Sequence, residues 1–191
     1  MPGWHLFVYR LPSKPSSARV AVWRDLRRLG ALPLQQAVVA LPADRGFEPR
    51  LDAVEARVAA EGGSSYRFAV DGDDRLEAEW NALRRQEYEE IVEECETKFE
   101  REIEFEIYRG NLTASEAEEI EADLDKIRAW FGRVSARDVF GAPGRDRVEA
   151  AIARCARQLE DFERRVFEAE AEEGPSFAPP AKLPWGETPG G

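Results

Sequence analysis

Residues 66–103 read YRFAVDGDDRLEAEWNALRRQEYEEIVEECETKFEREI, and the spacing of the apolar residues changes within this stretch. Tyr66, Phe68 and Val70 alternate with other residues, which is the period of a β-strand. After Asp71-Gly72 the apolar residues recur every three or four positions, which is typical of an amphipathic helix. These helical positions are Trp80, Leu83, Ile91, Cys95, Phe99 and Ile103. The sequence therefore predicts a sheet-containing unit that ends near Gly72, followed by one long helix.

The residues before Tyr66 predict the rest of a small α+β unit. Strands are predicted at residues 5–11, 31–35, 37–41 and 66–70, and helices at residues 18–29 and from Phe47 to Gly62. The apolar repeat of the first helix is formed by Val22, Trp23, Leu26 and Leu29. The resulting order, βαββαβ, favours an antiparallel four-stranded sheet with both helices on one face, which is the ferredoxin-like arrangement.

The residues after Gly72 predict an antiparallel three-helix coiled-coil module. Gly110-Asn111 ends the first long helix, and Thr113 is predicted to cap the next one with Glu116 as its capping-box partner. Apolar residues then repeat every three or four positions through residues 117–131 and again through residues 148–169. We predict an α+β domain at 1–72, a helical module at 73–173, and a disordered Pro/Gly-rich tail at 174–191.

The sign of the net charge changes between the two predicted units. Residues 1–72 contain ten Lys or Arg and seven Asp or Glu, whereas residues 73–173 contain sixteen and thirty. Because phosphate contacts need a positive surface, a chain with net charge −11 can contact a polyanion only through its basic part. The candidate DNA- or anion-binding residues are Arg10, Lys14, Arg19, Arg24, Arg27 and Arg28. The alternative is an ordinary solvated surface, neutralised by Asp25 and the acidic helices.

Two cysteines, Cys95 and Cys155, occupy apolar positions of the predicted helices. The first interpretation is that both thiols pack in the core, where antiparallel packing of the first and third helices would bring them together. The alternative is redox sensing. The glutamates around Cys95 are expected to raise its pKa, whereas Arg154 and Arg157 favour the thiolate of Cys155 if that residue is exposed. Cys155 is therefore the first redox candidate and Cys95 the second.

Several other classes of function lack the residues they need. His5 is the only histidine, and the cysteines are sixty positions apart, so we expect no metal site and no cofactor. No nucleophile motif with a base and no glycine-rich phosphate loop is present, so we expect no enzyme activity. No apolar run approaches the roughly 20 residues of a membrane span and no signal peptide is evident, so we expect a cytoplasmic protein without membrane contact.

Three stretches resemble a known family: WHLFVYRLP at 4–12, SSARVAVWRDLRRLGA at 16–31 and RDVFGAPG at 137–144. They are similar to the N-terminal domain of ChrB, the chromate-resistance regulatory protein family, over about residues 4–170. The resemblance implies a chromate-responsive transcriptional regulator whose N-terminal part contacts DNA. Members of the family continue into a second domain associated with chromate response, which these 191 residues do not include, so the resemblance does not imply chromate sensing by this chain alone. A chromate-response domain is one expected partner, and under the alternative interpretation it is separately encoded and docks on the helical module.

The order βαββαβ is also similar to the core of the phenylacetate-degradation repressor and of small CRISPR-associated endonucleases. Those nucleases place a metal-binding Asp after the first strand, where this chain has Tyr9-Arg10-Leu11-Pro12, so nuclease activity is not implied. We therefore predict a non-catalytic, ChrB-like regulator that contacts DNA through its basic domain and forms a homodimer through its helices. The alternatives are a structural protein whose helical module docks a partner, and a thiol-based oxidant sensor.

Overall fold

The computed structural model describes residues 3–14, 16–43 and 46–173. The first part contains β1 (Gly3–Arg10), α1 (Ser16–Leu29), β2 (Leu32–Gln35), β3 (Val38–Pro42), α2 (Glu48–Ala60) and β4 (Ser64–Asp71). The second part contains α3 (Asp74–Glu94), a π-helical segment (Cys95–Phe99), α4 (Glu100–Arg109), α5 (Ala114–Ser135) and α6 (Arg145–Glu173). The predicted disorder of residues 174–191 lies outside the described residues.

The four strands form one antiparallel sheet in the order β2-β3-β1-β4. On one face of the sheet, Phe7 of β1 and Leu41 of β3 share a buried core with Val22 of α1 and Leu51 of α2. The apolar repeats of both helices place their buried sides on this core. The predicted α+β class and the antiparallel four-stranded sheet are therefore confirmed.

Three aromatic residues of the predicted apolar repeats lie at the surface. Trp23 is 51% exposed, because the buried side of α1 consists of Ala18, Val22, Leu26 and Leu29; its assignment to the core repeat was wrong. Tyr66 and Phe68 are 64% and 51% exposed on the sheet face opposite α1 and α2, and their rings stack with centroids 6.4 Å apart. Alternation along β4 thus predicted the strand correctly but not its burial.

The helices of the second part pack around a second buried core. α5 runs antiparallel to α3, since Arg137 just after α5 reaches Glu87 and Glu116 at its start lies near Glu106. α6 runs in the same direction as α3, since Gly144 lies against Tyr88 and Arg154 contacts Glu96. The expectation that the first and third helices are antiparallel was therefore wrong, because α5 returns the chain to the start of α3 before α6 begins.

The turn before α5 confirms Thr113 as the predicted cap of this helix, but Glu116 does not complete the predicted capping box. Thr113 Oγ1 accepts a hydrogen bond from the Glu116 amide at 3.3 Å, as predicted. The Glu116 carboxylate instead accepts from Asn111 Nδ2 at 2.9 Å, so the reciprocal half of the capping box is replaced. Among the described residues, no helix is long and apolar enough to cross a bilayer.

The two cores meet at Trp80 in the second turn of α3. Trp80 is fully buried in the core of the sheet, where its ring meets Trp4 and Phe47 edge to face, each with centroids 5.8 Å apart. Phe140, from the connection between α5 and α6, stacks on Trp4 at 5.6 Å. These aromatic contacts place the beginning of α3 and the end of the bundle in the same core as β1 and α2.

A buried ionic cluster lies one turn further along α3. Arg84 is fully buried; its guanidinium lies 4.6 Å from the Trp80 ring centroid and its Nε lies 2.8 Å from Glu87 Oε2. Arg137 Nη2 donates to Glu87 Oε1 at 2.8 Å, and its Nη1 donates to the Arg28 carbonyl at the end of α1 at 3.0 Å. We call Trp80, Arg84, Glu87 and Arg137 the junction, because they connect α1 to the helical bundle.

Burial governs the electrostatics of the junction. Burial lowers the pKa of Arg84 to about 10, with the charge of Arg137 as a smaller cause. Burial also lowers the pKa of Arg137, where the charges of Arg50 and Arg133 act in the same direction. Glu87 acts against both effects, since its carboxylate lies between the two side chains. Removing one partner from such a cluster leaves an uncompensated buried charge, which is far more costly than losing an exposed ion pair.

The stretch 137–144, which joins α5 to α6, packs against α3 beside the junction. Asp138 accepts hydrogen bonds from Tyr88 Oη at 2.9 Å and from the Ala142 amide at 2.8 Å. Gly144 has a φ of +113° and packs so closely on Tyr88 that an added Cβ would lie 3.3 Å from the tyrosine Cβ. This connection is therefore held against α3 by hydrogen bonds and close packing.

We predict that Gly30→Ala destabilises the protein more than Gly110→Ala. Both glycines end helices with positive φ, +74° and +69°, so each replacement costs about 1–2 kcal/mol in backbone strain. Only at Gly30 would the new Cβ collide with Arg84 Nη1 at 2.3 Å and Arg137 Cδ at 2.7 Å, which adds about 1–3 kcal/mol. Urea unfolding measures both variants; equal losses would contradict tight packing of the junction.

We predict that Glu87→Gln lowers the free energy of unfolding by about 3–5 kcal/mol, because two buried guanidinium groups lose their counter-charge. Glu89→Gln is the matched control. Glu89 is exposed and pairs with Arg85 at 3.4 Å on the same helix, so its loss costs at most about 1 kcal/mol. Equal effects in denaturant titrations would show that the buried cluster does not hold the junction together.

Candidate nucleic-acid interface

The outer side of α1 combines exposed arginines with an exposed indole. Arg24 and Arg27 lie three positions apart on this side, and the Arg27 guanidinium lies 5.2 Å from the centroid of the Trp23 ring. Guanidinium groups bind phosphate oxygens at two points, and a stacked aromatic ring restricts their orientation. This α1 face, defined as Trp23, Arg24 and Arg27, has the chemistry of a phosphate-contacting surface.

The carboxylate expected to neutralise this face is engaged elsewhere. Asp25 Oδ2 lies 2.9 Å from Arg57 Nε of α2, and Asp25 Oδ1 lies 3.4 Å from Arg28 Nη1. Within the described ranges, no ion pair joins Arg24 or Arg27 to an acidic residue. The positive charge of the α1 face is therefore not cancelled by a contacting carboxylate.

The predicted basic residues separate into two groups along α1. Arg10 at the end of β1 and Lys14 in the following loop are exposed near the start of the helix. Arg19 is used locally, because its Nη1 donates to the carbonyls of Pro12 and Ser13 and holds that loop. Arg28 lies at the opposite end of α1 with 76% of its side chain exposed. The structure therefore brings Arg24, Arg27 and Arg28 together near the end of α1. Arg19 lies about 12 Å from Arg27 along the helix axis and does not belong to this group.

The end of α1 is surrounded by further arginines that sequence reasoning missed. Arg50 Nη2 of α2 donates to the Arg28 carbonyl at 3.2 Å, and Arg137 donates to the same oxygen. These donors satisfy a helix-terminal carbonyl and place positive charge at the negative end of the helix dipole. No local pattern indicates them, since Arg50 and Arg137 lie 22 and 109 positions from Arg28. The end of α1 is thus held by one arginine of α2 and by one buried arginine of the acidic half.

The two cysteines are both fully buried and free, as the core interpretation predicted. Their thiols are within hydrogen-bonding reach of each other. The hydrogen bond from Cys155 lowers the pKa of Cys95, and the same contact together with burial raises the pKa of Cys155. At Cys95 the contact with the second thiol outweighs the flanking glutamates, which were expected to raise its pKa. The thiolate of Cys155 was expected only for an exposed residue, and Cys155 is buried.

A depression of about 280 Å³ lies between α5 and the continuous run of α3, the π-helical segment and α4. It is lined by residues of both charges, including Glu94, Lys98, Asp123 and Arg133. Among residues 3–14, 16–43 and 46–173, no group of three His, Cys, Asp or Glu side chains is placed to hold a metal ion. The α1 face is therefore the candidate site that the geometry favours.

Comparisons with known proteins agree with this architecture. The family model described as Protein ChrB, N-terminal, matches residues 19–173, which include most of α1, the junction and all described helices of the bundle. Protein ChrB of Cupriavidus metallidurans (strain ATCC 43123 / DSM 2839 / NBRC 102507 / CH34) is 36% identical over 133 residues. That match covers 68% of this chain and 37% of the relative. No solved structure matches. The chain belongs to the ChrB N-terminal family.

Proposed function

We propose that this chain is a non-catalytic regulatory protein of chromate resistance that contacts DNA through the α1 face. The observation that carries this proposal is the pair Arg24 and Arg27, exposed beside Trp23 while Asp25 is held by Arg57 and Arg28. Membership of the ChrB family supports a role in chromate resistance, and the exposed arginines of the α1 face support contact with DNA. The expected cytoplasmic location fits such a role.

The fold supports this assignment at the level of architecture. The strand order β2-β3-β1-β4 with two helices on one face is what a ferredoxin-like domain has, and we propose that classification for residues 1–72. Such a domain leaves the outer side of α1 open to solvent while its inner side packs on the sheet. DNA can therefore approach the arginines without displacing core residues.

The acidic helices restrict how a duplex docks. Their surplus of negative charge repels phosphates, so a duplex must approach from the α1 side. Because the match covers only 37% of the ChrB relative, we propose that chromate response involves a domain beyond this region or a separate partner. We also propose that the helices mediate homodimerisation, which would place two α1 faces on one duplex.

We predict that replacing Arg24 and Arg27 together by Ala weakens duplex binding and reduces the slope of log K against log salt by about 2, one for each lost phosphate contact. Fluorescence anisotropy with a labelled promoter duplex of a chromate-resistance operon measures both quantities. An unrelated duplex of equal length separates sequence-specific from general binding.

The matched control replaces Arg128 and Arg164 together by Ala. This variant loses the same charge, but both arginines lie on the acidic helices and pair with Asp125 at 3.0 Å and Asp161 at 2.8 Å. The control should bind both duplexes like the unmodified protein. Absence of binding by the unmodified protein at low salt, or equal weakening in the two variants, would contradict contact through the α1 face.

A second candidate function, docking of a protein partner, is favoured by exposed aromatic residues on the bundle. Phe105 and Tyr108 of α4 are 54% and 88% exposed, and Phe167 of α6 is 72% exposed. Since α6 runs parallel to α3 and α4 with Arg154 level with Glu96, Phe167 lies at about the level of these two residues. Exposed aromatic residues at one end of a helical bundle are typical of a protein-binding surface.

We predict that replacing Phe105 and Phe167 by Ser reduces self-association without changing the fold, because both side chains are mainly in solvent. Sedimentation velocity over a range of concentrations measures the oligomeric state, and circular dichroism checks the helix content. If the unmodified chain is monomeric at every concentration, the homodimer is excluded and the aromatic surface is left to a different protein partner.

A further inference from the structure

Cys95 and Cys155 form a buried pair of thiols where α6 packs against the π-helical segment between α3 and α4. Cys95 is the first residue of the π-helical segment, and Cys155 lies near the middle of α6. Both side chains are fully inaccessible to solvent and belong to the same core. Their sulfur atoms are hydrogen-bonding neighbours although sixty residues separate them in the sequence. Facing thiols on two helices have the placement from which a disulfide can form.

The contact is supported by an ion-pair clamp next to it. Arg154, adjacent to Cys155, places Nη2 at 2.7 Å from Glu96 Oε1 and Nε at 3.6 Å from Glu100 Oε1. Glu96 follows Cys95 directly, so the clamp joins the same turns of the two helices that carry the thiols. It joins two different elements, and it therefore shows that Cys155 of α6 lies at the level of the π-helical segment.

The backbone at Cys95 is also unusual. The Glu100 amide donates to the Cys95 carbonyl, five positions back, so the helix widens there by one residue. Segments of this kind occur mostly as single turns and often lie at functional positions. Here the π-helical segment begins at Cys95, at the level where it contacts α6.

We propose that Cys95 and Cys155 form a reversible intramolecular disulfide when the protein meets hydrogen peroxide. The Cys95 thiol releases its proton, and the thiolate attacks one peroxide oxygen, which breaks the O–O bond and gives a sulfenic acid and hydroxide; the released proton converts this hydroxide to water. The Cys155 sulfur then attacks the sulfenic sulfur, which expels its oxygen as hydroxide; the Cys155 thiol proton converts this hydroxide to water. In total, two thiols and one peroxide give one disulfide and two waters, and a dithiol reductant reverses the bond.

The environment assigns different roles to the two sulfur atoms. The contact between the two thiols lowers the pKa of Cys95 and, together with burial, raises the pKa of Cys155, so the Cys95 thiolate attacks first and Cys155 resolves the sulfenic acid. Arg154, part of the clamp, adds positive charge that favours the Cys95 thiolate. Because both thiols are buried, a small neutral oxidant fits this site better than a bulky reagent. The site does not depend on DNA contact.

The full chain is treated with hydrogen peroxide, quenched, unfolded and alkylated with iodoacetamide before peptide mapping without reductant. We expect both thiols to escape alkylation, a cross-linked peptide that contains Cys95 and Cys155, and recovery of both thiols with dithiothreitol. Oxidation of the unfolded chain is the control and should give slower and mixed products. Two alkylated thiols after peroxide, separate sulfinic acids, or only intermolecular bonds would overturn the proposal.

Single substitutions test the order of attack. In Cys155→Ser, peroxide should leave a Cys95 sulfenic acid that dimedone traps, whereas in Cys95→Ser the remaining thiol should react many times more slowly. Preferential trapping at Cys155 would overturn the assigned roles. Thermal melts establish whether each variant is folded, and the peptide map of the unmodified chain decides the disulfide even if a variant is not. In the unmodified protein the disulfide should raise Tm, because it links α6 covalently to the π-helical segment.

Discussion

The contact on which the rest of the structure depends is the carboxylate of Glu87 between two buried guanidinium groups. Arg84 approaches it from the same helix at 2.8 Å and Arg137 from beyond α5 at 2.8 Å. Two guanidinium groups this deep are tolerated only because the carboxylate offsets their charge and the Trp80 ring lies against one of them. The cluster thus fixes where the bundle lies relative to the sheet.

The junction contacts the α1 helix of the candidate interface through the carbonyl oxygen of Arg28. Arg137 donates to the Arg28 carbonyl at the end of α1, and Gly30 follows at a position where any side chain would collide with the junction. The α1 face that carries Arg24 and Arg27 is therefore attached to the helical bundle at its C-terminal end. A change in the helical bundle can therefore reach the α1 face, because the connection through Arg137 and the Arg28 carbonyl is short and buried.

The sequence predicted the elements well because they are local. Alternation and three-and-four spacing indicated the strands and helices, and Thr113 indicated its cap. Of the candidate site, Arg24 and Arg27 were found because basic residues clustered on one helix side. The sequence did not predict the exposure of Trp23, nor the partners of Arg28, since both depend on how distant elements pack. The direction of the Cys95 pKa was missed for the same reason, because its contact with Cys155 outweighs the glutamates next to it in the sequence.

The central claim is that the junction makes the sheet and the helical bundle one cooperative unit. Native-state hydrogen exchange, followed by mass spectrometry, measures this most directly by comparing the opening free energies of amides in β1 and in α5. We predict equal values, since opening either core exposes the charges of Arg84 and Arg137. Fast exchange throughout β1, while α5 keeps its full protection, would contradict the claim and leave the two parts as independent domains.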